Sequence, residues 1–548
     1  MKLNVITSLS VASVFLMLTS CRSNDADNNL NPGGNISALK INLTGSDFAD
    51  PNRPQVVASV KGISMSAPVV QKEVTMINPS TFITTELSPS ASRLNTNASL
   101  GSIVAATNGA ALGEGTVFRL IAYKGGVYDD YRDYKIVSGK VELANPAGGE
   151  LVIQQNVPYT MVAYSYNTES LDPISAAEQG DVSGANIPYK TASPDLMFWS
   201  GNQTFGIGNS TLNITLRHKT TLIENVRVTV LSPLTLNSII GANITIPNFS
   251  DGSLSFSTGK VASRVTAADI SQSLTYAVAN NIGTTTSLSH QWVNADTEGQ
   301  KTALHTATYN ITDALDVTDT RALTSKFQIS PEFKYNLETK IQKCGAYLGP
   351  GNTQWKEFMC QNLGATAGTD PFSAEAGNHG AKYQWGSQTG EAGRYYSQSD
   401  DQSNSGAIGG WNTSGKPDGS WSDTSKTAND PCPSGYRVPT AAQWQAVISN
   451  NNVERVGAWF EEDGNYTSAL YFTNASNVRT LMLPAAGYRQ YNAGWSNFYR
   501  GIYGHYQSST SPSGSLYVTG LFFYYNHVTV YPGNQVRMDG RPVRCIAE

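Results

Sequence analysis

Short apolar segments separated by turn-forming residues recur along the first three-fifths of the chain. Leu39, Ile41 and Leu43 alternate with polar residues, whereas several later runs are continuous. Segments of this kind lie at 39–43, 56–60, 117–123, 151–153, 159–165, 212–216, 226–230, 244–246 and 333–339. Alternation with a period of two, or a short apolar run between turn residues, indicates a β-strand. The spacing predicts two successive antiparallel β-sandwiches, at residues 36–205 and 206–341.

A different pattern opens the chain. Lys2, a continuous apolar run and small residues precede Cys21, which predicts a secretory signal over residues 1–21. The ending Leu18-Thr-Ser-Cys21 resembles a bacterial lipobox, which implies that Cys21 is the lipid-modified first residue of the mature protein. The alternative is an ordinary signal with an unrelated cysteine. Residues 22–35 are polar and predict a flexible tether, so we expect a lipoprotein anchored at the cell outer membrane and exposed on the surface.

The last two-fifths of the chain have another composition. Seven of the 9 tryptophans lie after Lys343, so residues 342–548 are expected to form a third module with a different core. Within it, residues 430–444 predict a turn, the end of a strand and then a helix capped by Thr440 that runs to about Ser449. The predicted fold class is therefore mostly β, with two β-sandwiches followed by an α+β domain.

Charge and motif content exclude several function classes. Only 14% of the residues are charged, and 37 Lys and Arg against 42 Asp and Glu give a net charge of -5 without a basic block. Such a chain is poorly suited to nucleic acid, which requires a row of cations. No HExxH or GxSxG motif is present and the 6 histidines are scattered singly. We expect no enzyme, no catalytic residues, no cofactor and no metal site.

The four cysteines other than Cys21 all lie in the third module. Cys344, Cys360, Cys432 and Cys545 can pair in three ways, and export makes disulfides the expectation. Pairing of Cys344 with Cys360 is favoured because it is local, and pairing of Cys432 with Cys545 because it closes the whole module. Zinc is the alternative, but no CxxC is present and no histidine stands at ligand spacing from a cysteine.

Motifs in the first two predicted modules resemble the fimbrillin family of bacterial fimbrial subunits. The segment 157–167 is similar to that family's strand ending in "vaYsyN", the segment 211–218 resembles the strand that opens its second domain, and the strand around Tyr335 resembles its closing strand. Their order and distances agree over roughly residues 36–341. The resemblance implies two transthyretin-like sandwiches, lipoprotein export, and assembly with other fimbrial subunits by donor-strand insertion.

Two features bear on assembly of that kind. Fimbrillins that polymerise are cut after an arginine; Arg53 is followed by Pro54, which blocks most trypsin-like cleavage, whereas Arg93 is followed by Leu94 and is the possible processing site. They also donate a C-terminal strand, but here the corresponding region continues into another module. We expect a chain that receives a strand rather than donating one, as a tip or accessory subunit does.

Four ordered motifs in the third module resemble the Fibrobacter succinogenes major paralogous (FISUMP) domain. They are the segments 430–444, 483–489, 504–510 and 540–545. The resemblance implies a variant of the C-type-lectin-like fold, in which a cysteine near the first helix pairs with one in the last strand, in agreement with Cys432 and Cys545. The segment 437–444 also resembles formylglycine-generating enzymes. Their copper chemistry needs reactive cysteines, whereas Cys432 and Cys545 are expected to form a structural pair.

Aromatic residues in loops rich in Gly and Asn are the candidate ligand-binding residues. They are Trp411, Trp421, Tyr491, Trp495 and Tyr499, and they can stack on sugar rings or anchor a protein partner. The alternative is that most of them pack in the core. The triplets of calcium-dependent lectins are missing, and Asp400-Asp401 and 461–463 are interpreted as solvated turns.

The sequence thus supports two functional hypotheses. The first is a cell-surface lipoprotein that acts as a fimbrial tip or accessory subunit and adhesin, with a lectin-like head that binds a glycan or a host or bacterial surface protein. The second is a surface glycan-binding lipoprotein of a polysaccharide-capture system, without a fimbria.

Overall fold

The structure is a computed structural model, and it describes residues 36–51, 68–90, 109–206, 210–231, 239–276, 286–287, 291–301, 303–312, 318–492, 494 and 497–548. Strands make up 44% of it and helices 5%. The predicted mostly β fold class is confirmed. The predicted signal, lipidation site Cys21, tether and processing site Arg93 lie outside the described residues. Neither α-helix of the described residues is long and apolar enough to cross a membrane.

The first part of the chain contains twelve strands, and most of them form one large sheet. They are β1 (Ile36–Ala38), β2 (Lys40–Asp47), β3 (Gln71–Asn78), β4 (Thr81–Ser90), β5 (Val117–Lys124), β6 (Val127–Val137), β7 (Lys140–Leu143), β8 (Val152–Gln154), β9 (Pro158–Ser165), β10 (Asn186–Pro188), β11 (Met197–Thr204) and β12 (Thr211–His218). Seven of them form a sheet in the order β2-β12-β11-β9-β5-β6-β7, with β2 parallel to β12. Because side chains alternate along each strand, this sheet buries one apolar cluster around Phe118 and Ile214 and another around Tyr164 and Phe198.

A second pair of sheets follows. Its strands in this part of the chain are β13 (Thr221–Val230), β14 (Ile239–Ile246), β17 (Ile270–Tyr276), β18 (Thr286–Ser287), β19 (Gln291–Val293), β20 (Ala303–Thr312), β21 (Thr318–Phe327) and β22 (Lys334–Lys343). Two short strands between them, β15 (Ser253–Ser255) and β16 (Val261–Ala262), instead form a separate three-stranded sheet with β10, which packs on the cluster around Tyr164 and Phe198. One sheet has the order β18-β13-β22-β4-β3, with β19 also on β13, and the other has the order β17-β14-β20-β21. Their facing sides enclose a core that includes Ile83, Val226, Leu323 and Leu337.

Strand pairing departs from the predicted boundary between residues 205 and 206. The hairpin β3–β4, inside the predicted first sandwich, belongs to the second, where β4 pairs with β22 along its whole length. Conversely, β12 lies beyond the predicted boundary but pairs with β2 and β11 of the first sheet. The boundary fails because alternation along a strand specifies which face is buried and does not specify the partner strand.

The third module contains short strands and two α-helices. Its elements are β23 (Gly345–Gly349), β24 (Thr353–Glu357), β25 (Lys382–Tyr383), β26 (Tyr395–Tyr396), α1 (Gln398–Ser403), β27 (Tyr436–Arg437), α2 (Ala441–Asn450), β28 (Asn452–Val456), β29 (Ala469–Thr473), β30 (Arg479–Pro484), β31 (Ala486–Arg489), β32 (Asn497–Arg500), β33 (Gly504–Tyr506), β34 (Tyr517–Tyr524), β35 (His527–Val536) and β36 (Ile546–Ala547). The predicted helix is α2, and Thr440 and Gln443 form a reciprocal capping box at its start. Trp444 and Val447 bury one face of α2 against β34 and its neighbours.

Both favoured disulfides are present. Cys344 bonds to Cys360, and Cys432 bonds to Cys545 across a sequence separation of 113 residues. All four cysteines are buried. The second bond joins the segment before α2 to the segment before β36, so it closes most of the third module into one loop.

The tip of the β3–β4 hairpin docks the second sandwich onto the third module. The carbonyl oxygens of Pro79 and Ser80 accept hydrogen bonds, each 2.7 Å long, from the amides of Cys360 and Cys344. The Ser80 hydroxyl donates to Glu357 Oε2 at 2.5 Å and accepts from the Tyr436 hydroxyl at 2.9 Å. Beside it, the ring of Phe82 stacks on that of Phe372 with centroids 5.6 Å apart. The third module is therefore held by a buried, hydrogen-bonded contact as well as by the chain connection at residue 343.

Candidate functional site

The two predicted ligand-binding tryptophans with described positions belong to the core. Trp411 is 6% exposed and its indole donates to the carbonyl oxygen of Met538, while Trp421 is 2% exposed and donates to that of Asn429. A buried indole needs such a partner for its N–H, and both have one. The expectation that these two side chains are exposed is therefore wrong, and Trp421 lines a small cavity of about 200 Å³. Trp495 lies outside the described residues.

The predicted ligand-binding residues Tyr491 and Tyr499 both line a second, larger cavity. Tyr491 and Tyr499 border a depression of about 380 Å³ in the third module, formed by β31–β35 and the segment that follows β35. The remaining lining residues are Tyr488, Gln490, Tyr503, His505, Phe522, Tyr531, Gln535, Val536, Asp539 and Arg541. A cavity with mostly aromatic walls and a few converging polar groups is typical of a ligand site.

Aromatic rings form a continuous wall of this cavity. The ring centroids of Tyr499 and Tyr503 are 4.5 Å apart, and those of Tyr503 and Phe522 are 5.3 Å apart. Phe522 in turn meets Tyr531 edge to face at 5.6 Å. These separations are those of favourable aromatic pairs, so the wall is pre-organised and loses little entropy when a ligand binds.

Tyr499 adopts an uncommon backbone conformation. Its φ of 64° lies in the left-handed region, which costs a non-glycine residue roughly 1–3 kcal/mol. The backbone N–H of Tyr499 donates to Glu461 Oε1 at 3.1 Å, which helps to hold the turn in place. Glu461 thus positions an aromatic side chain of the cavity.

A carboxylate and a guanidinium form the charged part of the cavity lining. Asp539 Oδ2 accepts a hydrogen bond of 2.5 Å from Arg541 Nη2, and Asp539 Oδ1 accepts the backbone N–H of Tyr491 at 2.9 Å. Burial raises the pKa of Asp539 and lowers that of Arg541, which makes each depend on the other for its charge. The pair is therefore neutral as a unit.

Burial keeps a histidine and two tyrosines of the cavity lining uncharged. Burial, with a contribution from Arg541, holds the pKa of His505 well below its usual 6.5. Burial also raises the pKa of Tyr488 and Tyr503, so both phenols keep their protons. The cavity therefore presents aromatic faces, hydroxyl groups and one internal ion pair.

Gln535 is the polar residue that most clearly lacks a protein partner. The residue borders the cavity and is 2% exposed, and neither Oε1 nor Nε2, both almost without accessible surface, has a hydrogen-bond partner among the described residues. Its position follows from a register shift, because Val518 faces Gln535 while Gly520 faces Tyr531. The amide also requires a glycine opposite, since a Cβ on Gly520 would lie 2.3 Å from Gln535 Oε1. A buried, unpaired amide costs about 1–3 kcal/mol unless water or a ligand satisfies it.

Most residues of this cavity could not be assigned to a site from the sequence. Tyr488 and His505 fall inside the segments 483–489 and 504–510 that carry the FISUMP resemblance. That resemblance does not indicate that their side chains line a cavity. Gln535 has no local signal, because its orientation depends on the register shift between β34 and β35.

A buried ionic cluster includes Arg489 at the end of β31 and Asp401. It corrects the interpretation of Asp401 as part of a solvated turn, whereas its neighbour Asp400 is exposed. Asp401 on α1 is 2% exposed and its carboxylate binds three cations. Arg489 Nε donates to Oδ1 at 2.6 Å, Arg500 Nη2 donates to Oδ2 at 3.0 Å, and Lys382 Nζ lies 3.3 Å from Oδ2. Arg489 follows the cavity residue Tyr488 directly, so the cluster fixes the strands that carry the aromatic wall.

No group of three or more His, Cys, Asp or Glu side chains within the described ranges is arranged to hold a metal ion.

No model of a known protein family matches the chain, and neither does any curated protein. Solved structures do give likenesses. One is a candidate cell adhesion protein from Bacteroides uniformis, at 12% identity and a TM-score of 0.27, over 42% of this chain and 92% of that one. A fimbrial protein from Bacteroides vulgatus aligns at 13% identity and a TM-score of 0.27, over 41% of this chain and 92% of that one. A candidate cell adhesion protein from Parabacteroides distasonis aligns at 8% identity and a TM-score of 0.30, over 47% and 87%.

At these identities and TM-scores, the likenesses establish neither a shared fold nor a shared role. The resemblances to the fimbrillin family and the FISUMP domain therefore stay predictions from the motifs.

Proposed function

We propose that this protein is a cell-surface adhesin whose third module binds a surface ligand in the aromatic cavity. The observation that carries this proposal is the pre-organised wall of aromatic rings around a cavity of about 380 Å³. Rigid aromatic surface supplies binding energy at a small entropic cost.

We further propose that the protein is a fimbrial tip or accessory subunit, lipid-anchored through Cys21 at the outer membrane. The fimbrillin-like motifs support a chain that accepts a strand from another subunit in its N-terminal part, with possible processing after Arg93. In the third module, β36 pairs with β27, and Cys545 beside it is held by its disulfide, so this strand is engaged within the head. Such a chain fits the end of a filament, with the head presented outward.

The docked hairpin supports the use of the third module as a head. Its contacts with the Cys344–Cys360 segment fix the orientation of the cavity relative to the second sandwich. A ligand site that is held rigidly on the second sandwich transmits tension from the ligand to the cell, as adhesion requires.

The alternative function is a surface glycan-binding lipoprotein that captures polysaccharide without a fimbria. The same aromatic cavity supports it, so the discriminating observations concern the N-terminus and the partners. Mass spectrometry of the mature protein on cells, combined with crosslinking, separates the two. Cleavage after Arg93 and a crosslinked filament subunit would support the fimbrial role, and a lipidated Cys21 with no subunit crosslinked would contradict it.

The adhesin proposal itself is tested by whole-cell attachment. Cells carrying the full chain with Tyr499→Ala are expected to attach less to the surface that wild-type cells bind, because the aromatic wall is interrupted. Tyr525→Ala is the matched control, since Tyr525 is exposed and does not line the cavity. Equal attachment by the wild type and Tyr499→Ala would contradict a role for the cavity in adhesion.

A further inference from the structure

We infer that the aromatic cavity binds a quaternary ammonium group, of the kind that choline carries, against the rings of Tyr503, Phe522 and Tyr531. This inference rests on the proposed function, because it names the chemical class of ligand for the same cavity. It adds a prediction that the adhesin proposal does not make: the positive charge of the ligand, and not only its apolar surface, determines the affinity.

The three rings are steeply inclined to one another and are open to solvent. The plane of Phe522 makes an angle of 69° with that of Tyr503 and of 88° with that of Tyr531. Tyr531 is 40% exposed, and Tyr503 and Phe522 are partly exposed. The face of an aromatic ring is its negative side, and it attracts a cation that lies within about 6 Å of the ring centroid. Inclined rings around one cavity are therefore suited to surround a compact cation.

The same lining already holds one cation of the protein itself. The guanidinium carbon of Arg541 lies over the ring of Tyr488, 5.4 Å from its centroid. Asp539 balances the charge of Arg541 through a contact of 2.5 Å, and both residues are almost fully buried. This pair is neutral as a unit, so its net charge does not repel a second cation that enters from the open side.

Acidic residues border the open side of the wall. Glu461, Glu462 and Asp463 are consecutive and exposed. Glu461 Oε1 accepts the backbone N–H of Tyr499 at 3.1 Å, which places this carboxylate beside the aromatic rings. Burial, two neighbouring tyrosines and Glu461 together raise the pKa of Tyr503, so the negative charge of Glu461 acts on that ring. An acidic border of this kind attracts cations and repels anions.

The polar groups of the lining favour a quaternary over a primary ammonium group. A primary ammonium group carries three N–H donors, and each needs an acceptor once it has left water. Both carboxylate oxygens of Asp539 already accept hydrogen bonds, and the amide of Gln535 has almost no accessible surface. A quaternary ammonium group has no N–H, so it leaves no donor unpaired among aromatic rings. A trimethylammonium group therefore fits this lining better than the side chain of a lysine.

The size of the cavity fits such a group and the chain that carries it. Its volume of about 380 Å³ lies near the lower end of the roughly 300–1,000 Å³ of small-molecule sites. A trimethylammonium group is nearly spherical, so its methyl groups can contact rings of different orientation at the same time. Free choline and the headgroup of choline lipids share this chemistry, and the experiment below distinguishes the two sources.

The test compares a cation with its neutral counterpart on the full chain. Choline is the cationic probe, and dimethylbutanol, in which a tert-butyl group replaces the trimethylammonium group, is the neutral one. Ethanolamine supplies the primary ammonium group. Ligand-observed NMR and calorimetry are expected to show that choline binds about tenfold more tightly than dimethylbutanol, and more tightly than ethanolamine. Sedimentation with phosphatidylcholine vesicles then assigns the lipid headgroup as the source, and binding of choline without vesicle binding assigns the free compound.

Two variants separate the effect of the rings from that of the acidic border. Tyr503→Leu keeps an apolar side chain but removes the aromatic face, so the affinity for choline is expected to fall about tenfold. Glu461→Gln keeps an oxygen for the N–H of Tyr499, and choline is expected to bind about two- to threefold less tightly at low salt, with no difference at high salt. Tyr525→Ala, an exposed residue outside the lining, is expected to bind like the wild type. Thermal unfolding monitors each variant, and if Tyr503→Leu fails to fold, Tyr531→Leu replaces it.

This inference and the adhesin proposal fail on different results. Equal affinities for choline and dimethylbutanol, tighter binding of ethanolamine than of choline, or unchanged choline affinity in a folded Tyr503→Leu would overturn the assignment of ligand class. So would the absence of choline binding at millimolar concentration. In each case the adhesin proposal still stands if Tyr499→Ala abolishes attachment, and it fails only if that variant attaches normally.

Discussion

Replacing Asp401 with asparagine tests how the third module tolerates its buried charges. Asparagine preserves the shape of the side chain but removes the negative charge that Arg489, Arg500 and Lys382 share. Three buried cations then remain without a carboxylate. Breaking a buried ion pair by removing one partner costs about 3–5 kcal/mol.

The protonation state of Lys382 determines part of the expected loss in unfolding free energy. Burial lowers its pKa to about 8, although Asp401 opposes this effect. At pH 7 its charged form is therefore favoured over the neutral amine by about 1 kcal/mol. Without Asp401 the lysine can release its proton for that cost, whereas the two guanidinium groups cannot deprotonate. Most of the expected loss of about 3–5 kcal/mol in unfolding free energy thus comes from the two arginines.

The pH dependence follows from the same groups. As the pH rises through about 8, Lys382 loses its proton in the folded protein, whereas in the unfolded chain it keeps it to about 10.5. The unfolded state binds more protons in this window, so this group makes the wild type more stable as the pH rises. In Asp401→Asn the lysine is already neutral at pH 7. The difference between the two proteins should therefore shrink by about 1 kcal/mol between pH 7 and pH 9.

At acid pH the carboxylate itself matters. Burial opposes its ionisation, but Lys382, Arg489 and Arg500 hold the pKa of Asp401 below its ordinary 3.8. Its contribution to stability is therefore complete above about pH 4 and is lost as the pH falls through the lower folded pKa. Asp401→Asn should lack this part of the acid transition.

Urea unfolding followed by tryptophan fluorescence measures the effect, because seven of the 9 tryptophans lie after Lys343. Asp400→Asn is the matched control: Asp400 is exposed on the same helix, and we expect a change within about 0.5 kcal/mol. A loss below 1 kcal/mol for Asp401→Asn, or a loss that is the same at pH 7 and pH 9, would refute the reasoning.

Three further changes have defined outcomes. Gly520→Ala places a Cβ 2.3 Å from Gln535 Oε1 and 2.5 Å from the carbonyl oxygen of Tyr506, so urea unfolding should show a destabilisation of about 1–3 kcal/mol, and an unchanged urea midpoint would contradict this close packing. Phe82→Ala removes a buried ring from the hairpin contact, and limited proteolysis should cut faster between the second sandwich and the third module, whereas Val70→Ala, at an exposed position, should leave the rate unchanged. Replacing Cys432 and Cys545 together by serine should lower the unfolding free energy of the third module by up to about 4–5 kcal/mol, and an unchanged urea midpoint would contradict the role of this bond.

Local features of the fold could be predicted from the sequence. Short apolar segments predicted eight strands of the first two modules, namely β2, β5, β8, β9, β12, β13, β14 and β22, and the predicted strand at 56–60 lies outside the described residues. Thr440 marked the start of α2. Cys432 and Cys545 were paired correctly because a short list of alternatives was constrained by position and by the FISUMP resemblance. These properties depend on residues close in sequence or on very few candidates.

Long-range partners could not be predicted in the same way. Nothing local to β4 indicates that β22 is its partner, and nothing near Trp411 indicates that its indole N–H reaches Met538, which lies 127 residues away. The cavity also depends on strand pairing and on side-chain contacts between residues far apart in the sequence. Tyr491 and Tyr499 were identified as aromatic residues in a loop, but Gln535 faces them only because β34 and β35 change register.

The long separation between β4 and β22 also determines the order in which the protein can be completed. The two strands are about 250 residues apart, so β4 has left the ribosome well before its partner has been made. Closing so large a loop is slow, and until β22 has been made, one edge of β4 has no partner strand. The hairpin that contacts the third module is therefore among the last parts to be fixed, and the timing of synthesis determines how long that edge remains open to other strands.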